Sequence, residues 1–314
     1  MSRPLCVLVG VCGILATGAS PALGAFPGEN GRIAFVSERD GVDGDIWSMN
    51  PSGSHQVNLT PDSAANDATP NWSADGRRIA FMSNRVSRTN PTGDHEIFVM
   101  AADGSHVRQI TRNRLDDEDP AWSPDGRRIV FARDFDPVEG EVDLDVFTVK
   151  ADGRDERNLT NSRGVNEYAV NWSPNGRMIA FASERGGDAE IWTMNANGSN
   201  QRQLTFNDGE LHDEFPNWSP EGRRIAFNRH LGNDIFEIFT MRADGRDQTR
   251  LTFETGGLSA WSPDGRQIAF VSDRFGNPEI FTMRANGADQ VNRTNHVAAD
   301  YLADWQPLRG HHGW

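Results

Sequence analysis

The chain repeats one short motif at nearly constant spacing, and this repetition constrains its fold more than any other feature. A tryptophan followed by a turn of the type Ser-Pro-Asp-Gly occurs five times, and successive tryptophans are 43 to 50 residues apart. These tryptophans are Trp72, Trp122, Trp172, Trp218 and Trp261. A period of this length is typical of proteins that stack one supersecondary unit many times.

Each repeat is predicted to form four short antiparallel β-strands. The first strand ends at the tryptophan, and the second carries an Ile-Ala-Phe-like segment such as 129–131. The third has an aromatic residue and a methionine two positions apart, as at Phe98 and Met100, and the fourth ends at Leu-Thr or Ile-Thr. Spacing by two places both apolar side chains on one face of a strand. Proline and glycine favour the turn after the tryptophan, and Asp-Gly favours a tight hairpin before the fourth strand.

The repeats are predicted to close into a six-bladed ring, because a single four-stranded sheet cannot bury both of its faces. A sixth Ile-Ala-Phe segment at 33–35 has no tryptophan strand before it, but Asp304 and Trp305 supply such a strand at the other end of the chain. We therefore expect an all-β fold, a six-bladed β-propeller of four-stranded antiparallel blades at 31–307. The C-terminal strand around Trp305 would join the first blade and remove the exposed sheet edges.

Residues 1–24 have the features of a cleaved signal peptide. Arg3 precedes an apolar run from Leu5 to Ala16 that is too short to span a bilayer, and small residues favour cleavage before Ala25. A retained anchor is the alternative. We therefore expect a short lead at 25–30, a disordered tail at 308–314, and a mature protein in the periplasm or outside the cell that does not insert into the membrane.

Cysteine content and charge narrow the classes of partner. Cys6 and Cys12 are the only cysteines and both lie in the predicted leader, so we expect no disulfide and no thiol chemistry in the mature protein. The formal net charge of −14 argues against a nucleic acid partner. We expect a monomer.

The repeat resembles the TolB-type β-propeller repeat. The resemblance rests on Trp-Ser-Pro-Asp-Gly-Arg-x-Ile-Ala-Phe, followed in the same repeat by Glu-Ile-Phe-x-Met and Leu-Thr, and it extends from about Gly31 to Pro307. It implies a periplasmic propeller that binds a peptidoglycan-associated lipoprotein and short peptides at one face. We expect no counterpart of the α/β domain that precedes the propeller in TolB, so the resemblance does not extend to a full role in a Tol-Pal system. Related repeats in peptidases and oligogalacturonate lyases leave the function open.

One face of the predicted propeller carries the variable loops. It is formed by the loops between the second and third strands and by the connections between blades, and we call it the loop face. Long loops around Asp94, Glu139 and Glu210 are predicted there, and the face is strongly acidic. Variable loops on a constant scaffold commonly make specific contacts. A face kept acidic for solubility is the alternative explanation.

Five acidic residues recur five positions before the tryptophan, where each first strand begins. They are Asp67, Asp117, Glu167, Asp213 and Asp300, and Gly256 replaces the acid in one repeat. We call these the ring carboxylates. They are predicted to surround the mouth of the central channel and to bind a cation or a cationic group, because unpaired carboxylates at one radius repel each other. The alternative is a structural role at the strand entrance.

A second set of acids recurs at the start of each third strand, and an arginine precedes each of them in the same hairpin. Cross-strand ion pairs between the two sets are the predicted arrangement. The acids are Asp45, Glu96, Asp145, Glu190, Glu237 and Glu279. The arginines are Arg39, Arg85, Arg133, Arg185, Arg229 and Arg274.

Signals for catalysis are few. The chain has no phosphate-binding glycine motif and no Gly-x-Ser-x-Gly elbow. Four histidines are predicted on the loop face, without metal-ligand spacing: His95, His212, His230 and His296. We therefore predict a non-catalytic binding module that docks a protein or basic peptide of the cell envelope at the channel mouth. No cofactor is expected, with Ca²⁺ or another divalent cation in the channel left open. The alternative is a metal-dependent, polysaccharide-processing lyase or hydrolase that uses these histidines.

Overall fold

The computed structural model describes residues 25–309 except 42, 62–63, 136–142, 208–210 and 233–234. The predicted leader at 1–24 and residues 310–314 of the predicted tail lie outside the described residues. All regular secondary structure in the described ranges is β-strand. These ranges contain no helix that could cross a membrane. The prediction of an all-β fold is confirmed.

Twenty-four strands form six antiparallel sheets of four strands each. Blade 1 contains β1 (Glu29–Ser37), β2 (Asp45–Met49), β3 (Val57–Asn58) and β24 (Asp300–Leu308). Blade 2 contains β4 (Asp67–Trp72), β5 (Arg78–Ser83), β6 (Glu96–Ala101) and β7 (Arg108–Gln109). Blade 3 contains β8 (Asp117–Trp122), β9 (Arg128–Asp134), β10 (Leu144–Lys150) and β11 (Arg157–Asn158). Blade 4 contains β12 (Glu167–Trp172), β13 (Met178–Ser183), β14 (Glu190–Asn195) and β15 (Arg202–Gln203). Blade 5 contains β16 (His212–Trp218), β17 (Arg224–His230), β18 (Phe236–Arg242) and β19 (Thr249–Arg250). Blade 6 contains β20 (Gly257–Trp261), β21 (Gln267–Ser272), β22 (Glu279–Arg284) and β23 (Val291–Asn292).

The six sheets are arranged as a closed ring around a central axis. The innermost strands are β4, β8, β12, β16, β20 and β24, and each of them contacts the innermost strand of the blades on either side. Closure depends on β24, which pairs with β1 so that Trp305 lies opposite Ile33 and Asp304 opposite Ala34. The predicted joining of the two chain ends in one blade is therefore confirmed.

The turn after each tryptophan has a local cause that blade 2 illustrates. The Ser73 hydroxyl donates to the Asp75 carboxylate at 2.6 Å and accepts a hydrogen bond from the Arg78 amide at 3.0 Å. The amide of Gly76 donates to the Ser73 carbonyl at 2.8 Å, and Gly76 has a φ of 66°, which glycine adopts without strain. Serine, aspartate and glycine thus each serve the turn, which explains their recurrence.

The core lies between blades. The second-strand phenylalanines and alanines are fully buried, as at Phe81 and Ala80. The first-strand tryptophans are buried as well, and Trp72 belongs to the same apolar cluster as Phe81 and as Ile46 of blade 1. Each first strand contains a bulge three residues before its tryptophan, where the backbone takes a positive φ. The residues at the bulges are Thr69, Asp119, Ala169, Phe215, Leu258 and Leu302, and all are buried. The innermost layer of the ring is therefore filled with side chains.

The lead at the N-terminus packs against the face that carries the Ser-Pro-Asp-Gly turns. The Ala25 amide lies 3.4 Å from the Trp218 carbonyl, and the Gly28 amide donates to the Pro263 carbonyl at 3.2 Å. Phe26 is buried and belongs to the same apolar cluster as Leu258 and Leu302 of the innermost layer. The lead therefore covers part of the turn face, and the opposite face carries the variable loops.

Candidate functional site

The ring carboxylates lie at the loop-face ends of the innermost strands, beneath the surface. All five have fully buried side chains. The backbone amide of Asp67 donates to the Gly44 carbonyl at 2.8 Å, and that of Asp117 donates to the His95 carbonyl at the same distance. These carbonyls belong to the loop between the second and third strands of the preceding blade. The ring carboxylates are thus held where two blades meet.

Each ring carboxylate forms an ion pair with an arginine of its own blade. The pairs are Arg85 with Asp67 (2.6 Å), Arg133 with Asp117 (2.5 Å), Arg185 with Glu167, Arg229 with Asp213 (2.6 Å) and Arg39 with Asp300 (2.6 Å). Two of the pairs are bidentate, with Nε and Nη2 of Arg133 or Arg229 bonded to the two carboxylate oxygens. The cationic groups that the sequence required among these acids are therefore supplied by the chain itself.

The arginine reaches the ring carboxylate from two different positions. In blades 3 and 5 it lies inside the second strand, directly opposite the acid, so that Arg133 faces Asp117. In blade 2 the residue opposite Asp67 is Ser83, and Arg85 reaches back from two positions further along. Ser83 receives a hydrogen bond from Nε of Arg85 at 2.9 Å and so orients the guanidinium. The contact between arginine and ring carboxylate is thus formed from two different positions of the arginine in the sequence.

The same arginines also cover the aromatic side chains of the blade. The guanidinium of Arg85 lies 5.4 Å from the ring centroid of Phe81 and 5.1 Å from that of Phe98. Arg39, Arg133, Arg185, Arg229 and Arg274 repeat this arrangement in their blades. Contact with the face of an aromatic ring stabilises a guanidinium that is largely withdrawn from water. The arginines therefore connect the ring carboxylates to the apolar core. That the ring carboxylates bind a ligand stays a prediction.

The predicted pairing of these arginines with the third-strand acids is wrong. The third-strand acids instead accept a hydrogen bond from the threonine that ends the fourth strand, as Asp145 does from Thr160 at 2.8 Å. The threonine oxygen also accepts a hydrogen bond from the backbone amide after the acid, here Val146 at 3.0 Å. This amide-to-threonine bond occurs in all six blades. The Leu-Thr motif is thus a link between the third and fourth strands, and the arginine is free to pair with the ring carboxylate.

Several buried acids of the innermost strands were missed by the sequence reasoning. Burial raises the pKa of Glu118 and of Asp119 well above the usual range. Burial also raises the pKa of Asp304 to about 8, against the opposing effect of hydrogen bonds from the Trp72 and Trp305 amides. The signal was available in the sequence, because Glu118 and Asp119 directly follow a ring carboxylate and Asp304 precedes the closing tryptophan. On the sequence alone, Glu118 and Asp119 are assigned only to the acidic loop face, and Asp304 only to the strand that closes the ring.

The predicted face histidines occupy three separate places. His95 lies 3.5 Å from Asp116 and 3.8 Å from Glu118. Burial alone would lower the pKa of His95, but the hydrogen bond with Asp116 and the charge of Glu118 together raise it above its usual value. His212 and His230 lie opposite each other on neighbouring strands, with ring centroids 5.7 Å apart, and His296 is exposed. Within the described ranges, no three histidine or acidic side chains are arranged as ligands for one metal ion.

Large apolar side chains are exposed on the loop face. Phe206 and Phe253 follow the fourth-strand threonines before blades 5 and 6, and Phe275 lies in the loop between β21 and β22; their exposed fractions are 75%, 73% and 72%. Val297, in the connection from β23 to β24, is 91% exposed. Exposed acids lie on the same face, among them Asp40, Asp43 and Glu254. The sequence reasoning identified the acids of this face and missed its phenylalanines.

The predicted long loops are described only in part. Asp94 is half-buried in the loop between β5 and β6, where its carbonyl accepts a hydrogen bond from the Asn90 side chain at 2.7 Å. Asn90 is fully buried and also bonds to the Arg85 carbonyl at 3.4 Å, so this loop is internally ordered. Glu139 and Glu210 lie outside the described residues.

The fold and the site together define a six-bladed β-propeller in which five blades pair an arginine with a buried ring carboxylate. Blade 6 has the arginine but not the carboxylate. The chain belongs to the family of the TolB beta propeller domain. The family's sequence profile matches residues 137–229 and 210–309, which together make up more than half of the chain. The resemblance found in the sequence is therefore confirmed at the level of the family.

Known proteins named TolB are similar to this chain in sequence or in structure. The "Protein TolB homolog" of Chlorobium luteolum is 34% identical in a match that covers 38% of this chain and 36% of that protein, so the chain spans about a third of this relative's length. The crystal structure of TolB from Acinetobacter baumannii has a TM-score of 0.74 and 20% identity, and covers 90% of this chain and 68% of that one. An oligogalacturonate lyase in complex with manganese has a TM-score of 0.60 and 12% identity, over 87% and 77% of the two chains. Similarity to these two solved structures shows the fold alone.

Proposed function

We propose that the protein is a non-catalytic binding module that docks a protein or a basic peptide of the cell envelope on its loop face, around the channel mouth. The observation that carries this proposal is the coincidence of exposed phenylalanines and exposed acids on that one face. Aromatic side chains, phenylalanine among them, are enriched at protein interfaces, and complementary charges around them select the partner.

The phenylalanines supply the apolar part of the proposed surface. Phe206 and Phe253 lie in the connections that lead into blades 5 and 6, Phe275 lies in the β21–β22 loop of blade 6, and Val297 lies in the connection from blade 6 to blade 1. Exposing three phenylalanines to water is unfavourable, and contiguous apolar patches rimmed by polar groups are typical of interaction sites. Val57 and Val291 in the fourth strands of blades 1 and 6, and Val107 directly before the fourth strand of blade 2, are single exposed residues at the outer edges of different blades.

The acids supply the charge selection. Glu254 extends into solvent beside Phe253, with a side chain that is 69% exposed, and Asp40 and Asp43 lie in the β1–β2 loop of blade 1. Such a surface favours a partner with basic residues and increases its rate of association at low ionic strength. In this proposal the ring carboxylates hold the loops in place from below through their arginines, and the exposed groups above them contact the partner.

The location of the protein belongs to the same proposal. We propose that it acts in the periplasm or outside the cell after removal of residues 1–24, as a monomer and without a bound cofactor. The names of its relatives, which include a "Tol-Pal system protein TolB" of Zymomonas mobilis, support a partner in the cell envelope.

A capture experiment with three forms of the mature chain tests the proposal. The first is wild type, the second carries Phe206→Ser, Phe253→Ser and Phe275→Ser, and the third is a control with Val57→Ser, Val107→Ser and Val291→Ser at the outer edge. We expect a protein from the native envelope to be held by wild type and control and lost by the phenylalanine variant. Direct titration of the purified partner should then show an affinity that falls as salt is added.

Equal capture by all three forms, or no capture by any, would rule out docking through the phenylalanines. Metal analysis of the purified protein addresses the enzyme alternative at the same time. A metal bound in stoichiometric amount and lost on substitution of His212 or His230 would support a metal-dependent enzyme, and the binding module requires no such metal.

A further inference from the structure

Blade 6 lacks the ring carboxylate that the other five blades possess, yet it keeps the arginine. Gly256 occupies the position of the acid, while Arg274 retains the placement seen in the other blades. Its guanidinium lies 5.7 Å from the ring centroid of Phe270 and 4.8 Å from that of Phe281, and its Nε donates to Ser272 at 2.9 Å. Arg85 makes the equivalent contacts in blade 2. The blade 6 arginine is therefore positioned like the arginines of the other blades, but residue 256 offers it no carboxylate.

The donors around this position are unsatisfied. Nη2 of Arg274, the atom type that contacts the ring carboxylate in each of the other five blades, is buried and has no hydrogen-bond partner among the described residues. The hydroxyl oxygen of Thr255 is also buried without a partner in that part of the chain. Ser272 joins the two residues, because its hydroxyl donates to the Thr255 carbonyl at 2.5 Å and accepts from Arg274. Buried donors left unpaired cost free energy, and this cost is removed when an acceptor binds.

Glu254 does not replace the missing acid. Its carboxylate contacts Nη1 of Arg274 at 3.2 Å from a side chain that extends into solvent, and it forms no hydrogen bond with Nη2. An ion pair with an exposed partner contributes little and is weakened by salt. Nη2 of the Arg274 guanidinium thus remains available to donate a hydrogen bond.

We propose that the space between Arg274 and Thr255, where blade 6 lacks its ring carboxylate, binds a small free anion of the size of formate or chloride. The anion accepts hydrogen bonds from Nη2 of Arg274 and from the Thr255 hydroxyl. It thus takes the place in blade 6 that a ring carboxylate occupies in each of the other five blades. Charge-assisted hydrogen bonds to a guanidinium are among the stronger ones in proteins. This site is independent of the proposed docking function.

Thermal unfolding with formate as the probe tests the site. The melting temperature of the mature protein is measured as sodium formate replaces sodium gluconate, whose anion is too large for the site, at constant ionic strength. We expect a rise that reaches about 3 °C when formate is at ten times its dissociation constant and continues to grow with the logarithm of the formate concentration. Equal melting temperatures in the two salts would overturn the proposal.

Three variants assign the effect to this site. Gly256→Asp supplies an internal carboxylate and should abolish the response to formate, as should Arg274→Gln. Gly256→Ala adds a methyl group without a charge and should keep the response. A β-carbon at Gly256 would lie 3.3 Å from the Thr252 side chain and 3.5 Å from Phe270, so small adjustments accommodate it. A response that survives in Arg274→Gln, or is lost in Gly256→Ala, contradicts the assignment, and this pair decides the question even if Gly256→Asp does not fold.

Anomalous scattering from a crystal soaked in sodium bromide locates the ion directly. The expected result is a bromide peak beside Nη2 of Arg274 and none beside the five arginines that already hold a carboxylate. Absence of a peak at Arg274 in crystals that show bromide elsewhere would overturn the proposal.

Discussion

The carboxylate of Asp304 accepts a hydrogen bond from the backbone amide of Trp72 at 2.7 Å, across the boundary between blades 1 and 2. Asn71 makes the equivalent contact from blade 2 to the Trp122 amide of blade 3 at 2.8 Å, and Asn217 does so from blade 5 to Trp261 of blade 6 at 3.3 Å. At the boundary between blades 1 and 2 an acid thus makes the contact that an asparagine makes at two other boundaries. Because Asp304 is buried, the stability of the folded protein depends on whether this side chain is ionised, and therefore on pH.

We predict that Asp304→Asn stabilises the protein increasingly as pH rises from 4 to 8. The pKa of Asp304 is about 8 in the folded protein, against an ordinary value of 3.8. Between these values the unfolded chain loses the proton and the folded chain keeps it, so the stability of the wild type falls with rising pH in that window. The advantage of the variant at pH 8 over that at pH 4 should exceed about 1.4 kcal/mol, the equivalent of one pKa unit. Urea unfolding at both values measures it.

The converse substitution provides the control for this effect. Asn71→Asp places a carboxylate in the matching position of blade 2 and should lower stability, with the loss growing over the same pH range. If both variants showed a change that did not depend on pH, ionisation of the closing acid would not be its cause.

The buried pair of Arg133 and Asp117 should show strong energetic coupling. Burial by itself would lower the pKa of Arg133, but its hydrogen bonds to Asp117 and Glu156 raise it, so the arginine is firmly charged. Asp117→Asn removes the fully buried one of the two carboxylates that hold this charge and leaves only Glu156, whose side chain is 37% exposed; it should cost about 3–5 kcal/mol. The double variant with Arg133→Gln should cost less than the sum of the single variants, as a cycle of denaturant unfolding experiments can measure.

An exposed pair supplies the comparison. Arg284 and Asp289 are 2.7 Å apart, but both side chains are more than half exposed. Their coupling in the same type of cycle should be below about 1 kcal/mol. Equal coupling in the two pairs would show that burial does not strengthen the ring contact.

Thr205 should be needed for its hydroxyl and not for its methyl group. The hydroxyl bonds to Glu190, and its oxygen accepts the Ile191 amide at 2.9 Å. Thr205→Val leaves the Ile191 amide unsatisfied in a buried place and removes one hydrogen bond from Glu190, which keeps those from Asn207. It should cost about 1–3 kcal/mol, whereas Thr205→Ser should retain most of the stability. Thermal unfolding of the two variants compares them, and a valine variant as stable as the serine variant would refute the link between the third and fourth strands.

His95 should stabilise the folded protein mainly at low pH. Its pKa is raised in the folded state, so the stability that it contributes is present below its ordinary value of 6.5 and is lost as pH rises through the folded value. His95→Gln should therefore be less stable than wild type at pH 5.5 and close to it above pH 8. A constant difference across this range, measured by chemical unfolding, would show that the charge of His95 plays no part.

Most of the architecture was predictable, and the site was predictable only in part. The recurrence of Ile-Ala-Phe and of the tryptophan turn indicated the six blades, because strand periodicity and turn chemistry are local properties. The same pattern located the five ring carboxylates by position. It could not tell which acid each arginine meets, because Arg85 and Arg133 reach their partners from different places in the hairpin. Nor did it predict that Phe206, Phe253 and Phe275 would be exposed together on one face.

The sequence by itself determined the number of blades, the order of strands within each blade and the closure of the ring through Trp305, since all of these follow from repeated short-range patterns. Only the tertiary structure decided that the ring carboxylates are buried against arginines, that the third-strand acids bind threonines, and that Nη2 of Arg274 has no hydrogen-bond partner among the described residues. These contacts join segments that are far apart along the chain or lie between blades. Their choice depends on burial and on the register between strands, which no single repeat specifies.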